Sequence, residues 1–122
     1  MRAQLKRIYS PDIDLDSFWP EDIEDFSFLI QAMIGPEGEE SEESFGINVC
    51  TPKWLMNNKR DEGAVFGRHM LLVFEYDLQM IRSRIESLCQ SCWGDNWQEI
   101  GLKLSRYGQW EFEDYRPYKN HA

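Results

Sequence analysis

The sequence predicts an α+β fold, with a mostly antiparallel sheet of about five strands packed against two to three helices in the order β-β-β-α-β-α-α-β. Three observations carry that expectation. Phe26, Phe28, Ile30, Ala32 and Ile34 occupy alternate positions, as do Phe45, Ile47 and Val49, which is the period-two signature of strands with one buried face. From Leu78 to Cys92 the apolar residues recur instead at intervals of three and four, the stripe of an amphipathic helix. No repeat, low-complexity tract or linker interrupts the 122 residues, so one domain over 1–122 is expected.

Residues 2–9 form a weakly patterned, basic first strand. Pro11 to Pro20 is a loop bounded by two prolines, and the strand from Phe26 to Ile34 follows it. Gly35-Pro36-Glu37-Gly38 opens a polar connection through Glu43, making the second and third strands a long-loop hairpin. Thr51-Pro52 starts a short helix, Thr as N-cap and Pro where its missing N–H costs nothing, with Trp54 and Leu55 as its apolar contact. Asn57 to Gly63 is a polar turn, and the unbroken apolar run Met70 to Phe74 predicts a central strand. A helix begins at Asp77, with Leu78, Ile81, Ile85, Leu88, Cys89 and Cys92 on one face and Gly94 as its stop. Asp95-Asn96-Trp97-Gln98 predicts a capping box for a further helix with Trp97, Ile100, Gly101 and Leu104 inward. Gly108 closes it, and Gln109 to Tyr115 is the last strand, Trp110 and Phe112 on one face.

Bulk composition narrows the function. A 42% hydrophobic, 14% aromatic chain of this length can build a core without staples. The longest apolar run is five residues, too short for a membrane span or a signal-peptide core, so a cytoplasmic location is expected. Three cysteines, an odd number, argue against a disulfide framework. The net charge is −9, and all of it lies in residues 1–50, which hold twelve acids against Arg2, Lys6 and Arg7. Residues 51–122 hold ten of each sign. Such a field repels nucleic acid and anionic membrane as direct ligands and suits a basic protein partner.

The motifs that could carry chemistry are incomplete. Asp12, Asp14 and Asp16 have the spacing of a calcium loop, but the sixth position is Ser17 rather than Gly and the twelfth is Ile23 rather than Glu. Cys89-Gln-Ser-Cys92 lies on the apolar stripe at a helix C-terminus, which points to core packing rather than redox chemistry, and zinc would need two further ligands from Cys50, His69 and His121. Glu111 and Glu113 alternate on the last strand and could pair as carboxylates, yet Trp110 and Phe112 hold the core side, leaving the glutamates solvated. His69 reads as a structural histidine. No nucleophile elbow or phosphate loop is present, so no catalytic residue, metal or cofactor is expected.

What remains is acidic. The two stretches 12–25 and 37–43 flank the same strand, and Phe18 and Trp19 lie within the first. An aromatic anchor with an acidic surround suits contact with a cationic protein. The expected partner-binding residues are therefore Asp12, Asp14, Asp16, Phe18, Trp19, Glu21, Asp22, Glu24, Asp25, Glu37, Glu39, Glu40, Glu42 and Glu43. The competing account is a loop and a hairpin tip kept soluble by charge.

Three segments resemble a known family: Met33-Ile34-Gly35-Pro36, the run Phe45-Gly-Ile-Asn-Val-Cys-Thr-Pro-Lys-Trp-Leu55, and the ending Leu104-Ser-Arg-Tyr-Gly-Gln-Trp-Glu-Phe-Glu-Asp-Tyr115. Together they are similar to the immunity protein 8 family along nearly the whole chain. The resemblance implies a small α+β protein of polymorphic toxin and contact-dependent growth inhibition systems, made beside a toxin that it blocks. It carries over no catalytic residue. A nuclease, whose cleft must be basic to hold phosphate, is the toxin class the charge suits best. Two other functions remain open on the residues alone: a general acidic adaptor or nucleic-acid mimic, and a small enzyme using Glu111 and Glu113.

Overall fold

A one-residue slip of the second strand would turn Phe28, Ile30, Ala32 and Ile34 to water, so burial of one face fixes its register. The computed structural model, which describes residues 1–113, has that register. β1 (Ala3–Tyr9), β2 (Ser27–Pro36) and β3 (Glu43–Cys50) form an antiparallel meander, with Ile30 opposite Ile47 and Phe28 opposite Val49. All five of these alternate β2-side residues from Phe26 to Ile34 are buried, as are Phe45, Ile47 and Val49. β1 carries an irregularity between Leu5 and Arg7, so that Leu5 meets Ile34 and Ile8 meets Ala32, both on the core side.

Helices cover that face. α2 (Leu78–Gln90) buries Ile81, Ile85 and Cys89, and α3 (Trp97–Leu104) buries Ile100, Gly101 and Leu104. α1 (Pro52–Lys59) starts as expected, with Thr51 as N-cap accepting from the Trp54 N–H at 3.2 Å. The same hydroxyl, fully buried, accepts from the Phe26 N–H at 3.3 Å and so ties the helix start to the foot of β2. The opposite face of the sheet presents half-buried or exposed Arg7, Tyr9, Gln31, Met33 and Asn48, a pattern common in antiparallel sheets.

Several boundaries differ from expectation. Asn57 to Gly63 is not a turn: α1 runs to Lys59, helped by Asn58 donating to the Trp54 carbonyl, and Arg60–Glu62 continues as a 3-10 turn closed by Gly63 at φ 74°. α1 has no buried residue, Trp54 and Leu55 being only half-buried. The run Met70 to Phe74 is not a central strand. Only Met70–Leu72 pairs (β4), parallel to β3 at the sheet edge, and Leu72 and Phe74 face solvent at 51% and 78% exposure. A continuous apolar run implies two-sided burial, but of these five residues Val73 alone is buried, with Leu71 packed half-buried against the core.

α2 ends at Gln90 with Ser91 as C-cap, four residues short of Gly94. The cap of α3 is one residue later than expected: Asn96 accepts from the Glu99 N–H, and Glu99 reaches back to the Asp95 N–H. Trp97 points inward, edge-on to Phe45, but is only half-buried. The last strand is reduced to β5 (Gln109–Trp110), which pairs with β3 on the edge that β4 also uses, farther down. The chain then turns at 111–113, leaving Phe112 39% exposed, and Asp114 and Tyr115 lie outside the described residues. No helix among the described residues is long and apolar enough to cross a membrane.

Candidate functional site

The loop between β1 and β2 is built by its own aspartates. β1 stops pairing at Tyr9 opposite Gln31, which leaves the Leu29 N–H without a strand partner, and the Asp12 carboxylate accepts from it at 2.9 Å. Asp14 accepts from the Asp16 N–H at 3.0 Å and Asp22 from the Glu24 N–H at 2.9 Å, two Asx turns of the kind short carboxylates favour. These turns aim Phe18 inward, edge-on to Phe28 and Tyr76. Trp19 points the other way. Its ring stands edge-on to Tyr76 at 5.4 Å and remains 70% exposed. Asp22 pairs with Lys53, whose hydrogen bond holds the Asp22 carboxyl below its ordinary pKa, and Asp25 accepts from Asn57 at 3.0 Å. Asp16, Glu21 and Glu24 are exposed and have no side-chain partner among the described residues.

The hairpin between β2 and β3 is different. Glu37 pairs with Arg2, which lowers the Glu37 pKa, and Glu42 pairs with Arg7. Lys6 donates to the Pro36 and Glu39 carbonyls, and the Glu43 carboxylate accepts from the Trp97 indole N–H. Gly35 lies where the returning chain comes closest: a Cβ built there would be 1.8 Å from the Ser41 carbonyl oxygen. The two acidic stretches sit at opposite ends of β2, whose ten residues span roughly 30 Å at strand rise.

Glu111 and Glu113 do not share a strand face, because the chain turns there. Glu111 exchanges two hydrogen bonds with Ser44, its N–H donating to the carbonyl and its carboxylate accepting from the N–H. Glu113 pairs with Arg68 at 2.7 Å, and its side chain is 19% exposed rather than fully solvated. His69 is buried at φ 60°, a left-handed conformation uncommon for a residue with a side chain. Its Nε2 lies 2.8 Å from the Ser105 carbonyl and 3.3 Å from the Arg68 Nε. The ring bridges β4 to the end of α3. Each of these groups has a structural contact of its own.

Cys50, Cys89 and Cys92 are free and buried. Burial pushes the Cys89 thiol up to about 12, with the neighbouring Cys92 adding to the shift, and it raises Cys50 and Cys92 as well. A folded pKa above the unfolded value of 9.0 leaves stability intact below pH 9 and removes it as pH climbs towards 12. The melting temperature should therefore fall across that window. Cys89→Ala should flatten the fall, and an unchanged slope would remove Cys89 as its cause. Among the described residues no group of three or more His, Cys, Asp or Glu side chains could hold a metal ion.

The family model of immunity protein 8 matches residues 3–115, nearly the whole chain. The chain belongs to the immunity protein 8 family. Comparison with curated proteins and with solved structures returns no match. The matched span takes in the three segments whose resemblance the sequence carries, and Gly35 and Trp110 within them are packing positions. An immunity protein binds a cognate toxin, so the exposed features of the fold are the ones to weigh. The structure adds two to those expected for this immunity protein. Phe74 lies two residues from Tyr76, against which Trp19 packs. Phe66, 98% exposed, stands beside a groove of about 440 Å³ lined by Leu55, Met56, Lys59, Arg60 and Val65. The Phe74 side chain was hidden in the sequence by an apolar run that looked buried, and Phe66 carries no periodic signal.

Proposed function

We propose that this immunity protein acts as a single domain in the cytoplasm and neutralises its cognate toxin without catalysis, covering a basic surface of the toxin with its own acidic surface. One observation carries the reading: no cation lies between Arg7 and the end of β3, while twelve carboxylates do. Nine like charges in excess oppose compaction, and a complementary partner converts that cost into attraction. A nuclease is the toxin class that fits, because its cleft must be basic to hold phosphate and an acidic cover competes with the substrate. Separate structural contacts for Glu111, Glu113 and His69 support binding rather than catalysis.

Co-expression is the test. Cells carrying the toxin domain encoded beside this chain should survive only when the chain is present, and the two proteins should co-purify. Survival with no complex would sink the binding mechanism and favour enzymatic detoxification.

A further inference from the structure

The charge that the sequence places in one half of the chain is divided unequally by the fold. All three bases of the first fifty residues fold onto the hairpin: Arg2 and Arg7 pair with Glu37 and Glu42, and Lys6 caps two of its carbonyls. Five hairpin acids are thus offset by three cations. The loop 10–25 has seven acids, and among the described residues the one cation paired with it is Lys53, on Asp22. The negative field is therefore concentrated at the loop end of the sheet, roughly 30 Å from the hairpin. Three exposed aromatic sites compete for a partner, and one of them, Trp93 with Tyr107, shares its groove with Lys103 and Arg106, of the sign that repels a basic protein. Trp19, packed on Tyr76, and Phe74, two residues before Tyr76 on a segment bonded to Cys50 and Ile23, lie at the loop end, with exposed Glu21 and Glu24 close in sequence to Trp19 and exposed Glu75 next to Phe74. Phe66 lies beside a groove lined by Arg60 and by Lys59, the latter paired with Glu62, so the segment 59–62 is neutral and offers a basic protein no attraction.

We infer that the toxin docks end-on at the loop end, with Trp19 and Phe74 as its apolar anchors and the carboxylates of loop 10–25 as the charged surround, and that the hairpin 37–43 stands outside the contact. This rests on the reading that the chain binds a basic toxin. The partner surface it fits is a basic cleft with an apolar floor deep enough for an indole. Charge at the rim of such a contact acts on encounter, whereas buried aromatics act on residence.

Binding kinetics of the neighbouring toxin domain with variants of the full chain test it, each variant's fold being checked by circular dichroism. Trp19→Ala and Phe74→Ala should each speed dissociation at least about tenfold. Changing Asp16→Asn, Glu21→Gln and Glu24→Gln together should slow association about fivefold at low salt and little at 0.5 M, where charges beyond roughly 5 Å are screened. Glu39→Gln with Glu40→Gln, at the hairpin, should stay within about twofold of the parent. A complex that forms normally but is indifferent to the loop and aromatic variants, or that responds instead to the hairpin pair, overturns the end-on assignment while leaving toxin binding in place. Absence of any complex with the parent chain overturns both. Because the loop-charge variant alters exposed side chains that make no hydrogen bond or ion pair among the described residues, it decides the point even if Trp19→Ala weakens the packing on Tyr76.

Discussion

Gly35→Ala should destabilise the protein by about 3 kcal/mol or more, enough to abolish protection at ordinary expression temperature. The position is not demanding in backbone angle. It is demanding in space: the added methyl would sit 1.8 Å from the Ser41 carbonyl oxygen and 3.3 Å from the Glu42 Cα, both on backbone. A flexible side chain could swing away, but a turn held by Lys6 and by the pairing of Ile34 with Glu43 cannot. Relief would require the hairpin to open and the edge of β3 to lose its partner. Of the 5–15 kcal/mol that roughly bounds the stability of such a domain, that is a large share. Urea denaturation should report a lower midpoint with an unchanged slope, and a midpoint within about 0.3 M of the parent would refute the steric argument.

Trp110→Ala should cost about as much, 3–5 kcal/mol by the range for large aromatic truncations. Trp110 is 4% exposed on a strand of only two residues, so its place is held by packing rather than by a ladder. Its ring stacks on Phe45 at 6.0 Å with an interplanar angle of 4° and fills the space left by Gly101, where a Cβ would come within 2.6 Å. Removing the ring leaves a void between α3 and β3 that the sheet cannot close. Among the described residues its buried indole N–H has no hydrogen-bond partner, so Trp110→Phe, which removes that donor, should cost much less than Trp110→Ala. Equal losses for the two would show that the hydrogen-bonding deficit is not part of the balance.

The strands that bury one face were readable in the sequence, because alternation of Phe28, Ile30, Ala32 and Ile34 has no helical interpretation and a single register satisfies it. The same holds for Ile81, Ile85 and Cys89 on α2. Where pattern and burial part company, reading fails. Met70 to Phe74 has the composition of a buried strand, yet β4 shares its edge with β5 and pairs over three residues only. Trp110 and Phe112 alternate correctly, but Glu111 takes the Ser44 N–H with its side chain and the chain turns away. The acidic stretches were legible as composition. Their separation was not, since whether Arg2, Lys6 and Arg7 fold onto one stretch or the other depends on which end of β2 faces β1's beginning. Trp19 and Phe18 are adjacent and chemically alike; only the turn at Asp14 decides that one enters the core and the other meets solvent.

The central claim is inhibition by binding, one immunity protein to one toxin. Titrating purified protein into a fixed amount of the neighbouring toxin domain, with toxin activity as the readout, tests it most directly. Activity should fall linearly, reach zero at about one equivalent and not decline further with time, as tight stoichiometric binding requires. Complete and progressive inactivation at a small fraction of an equivalent would mean turnover, and the protein would then have to be an enzyme acting on the toxin.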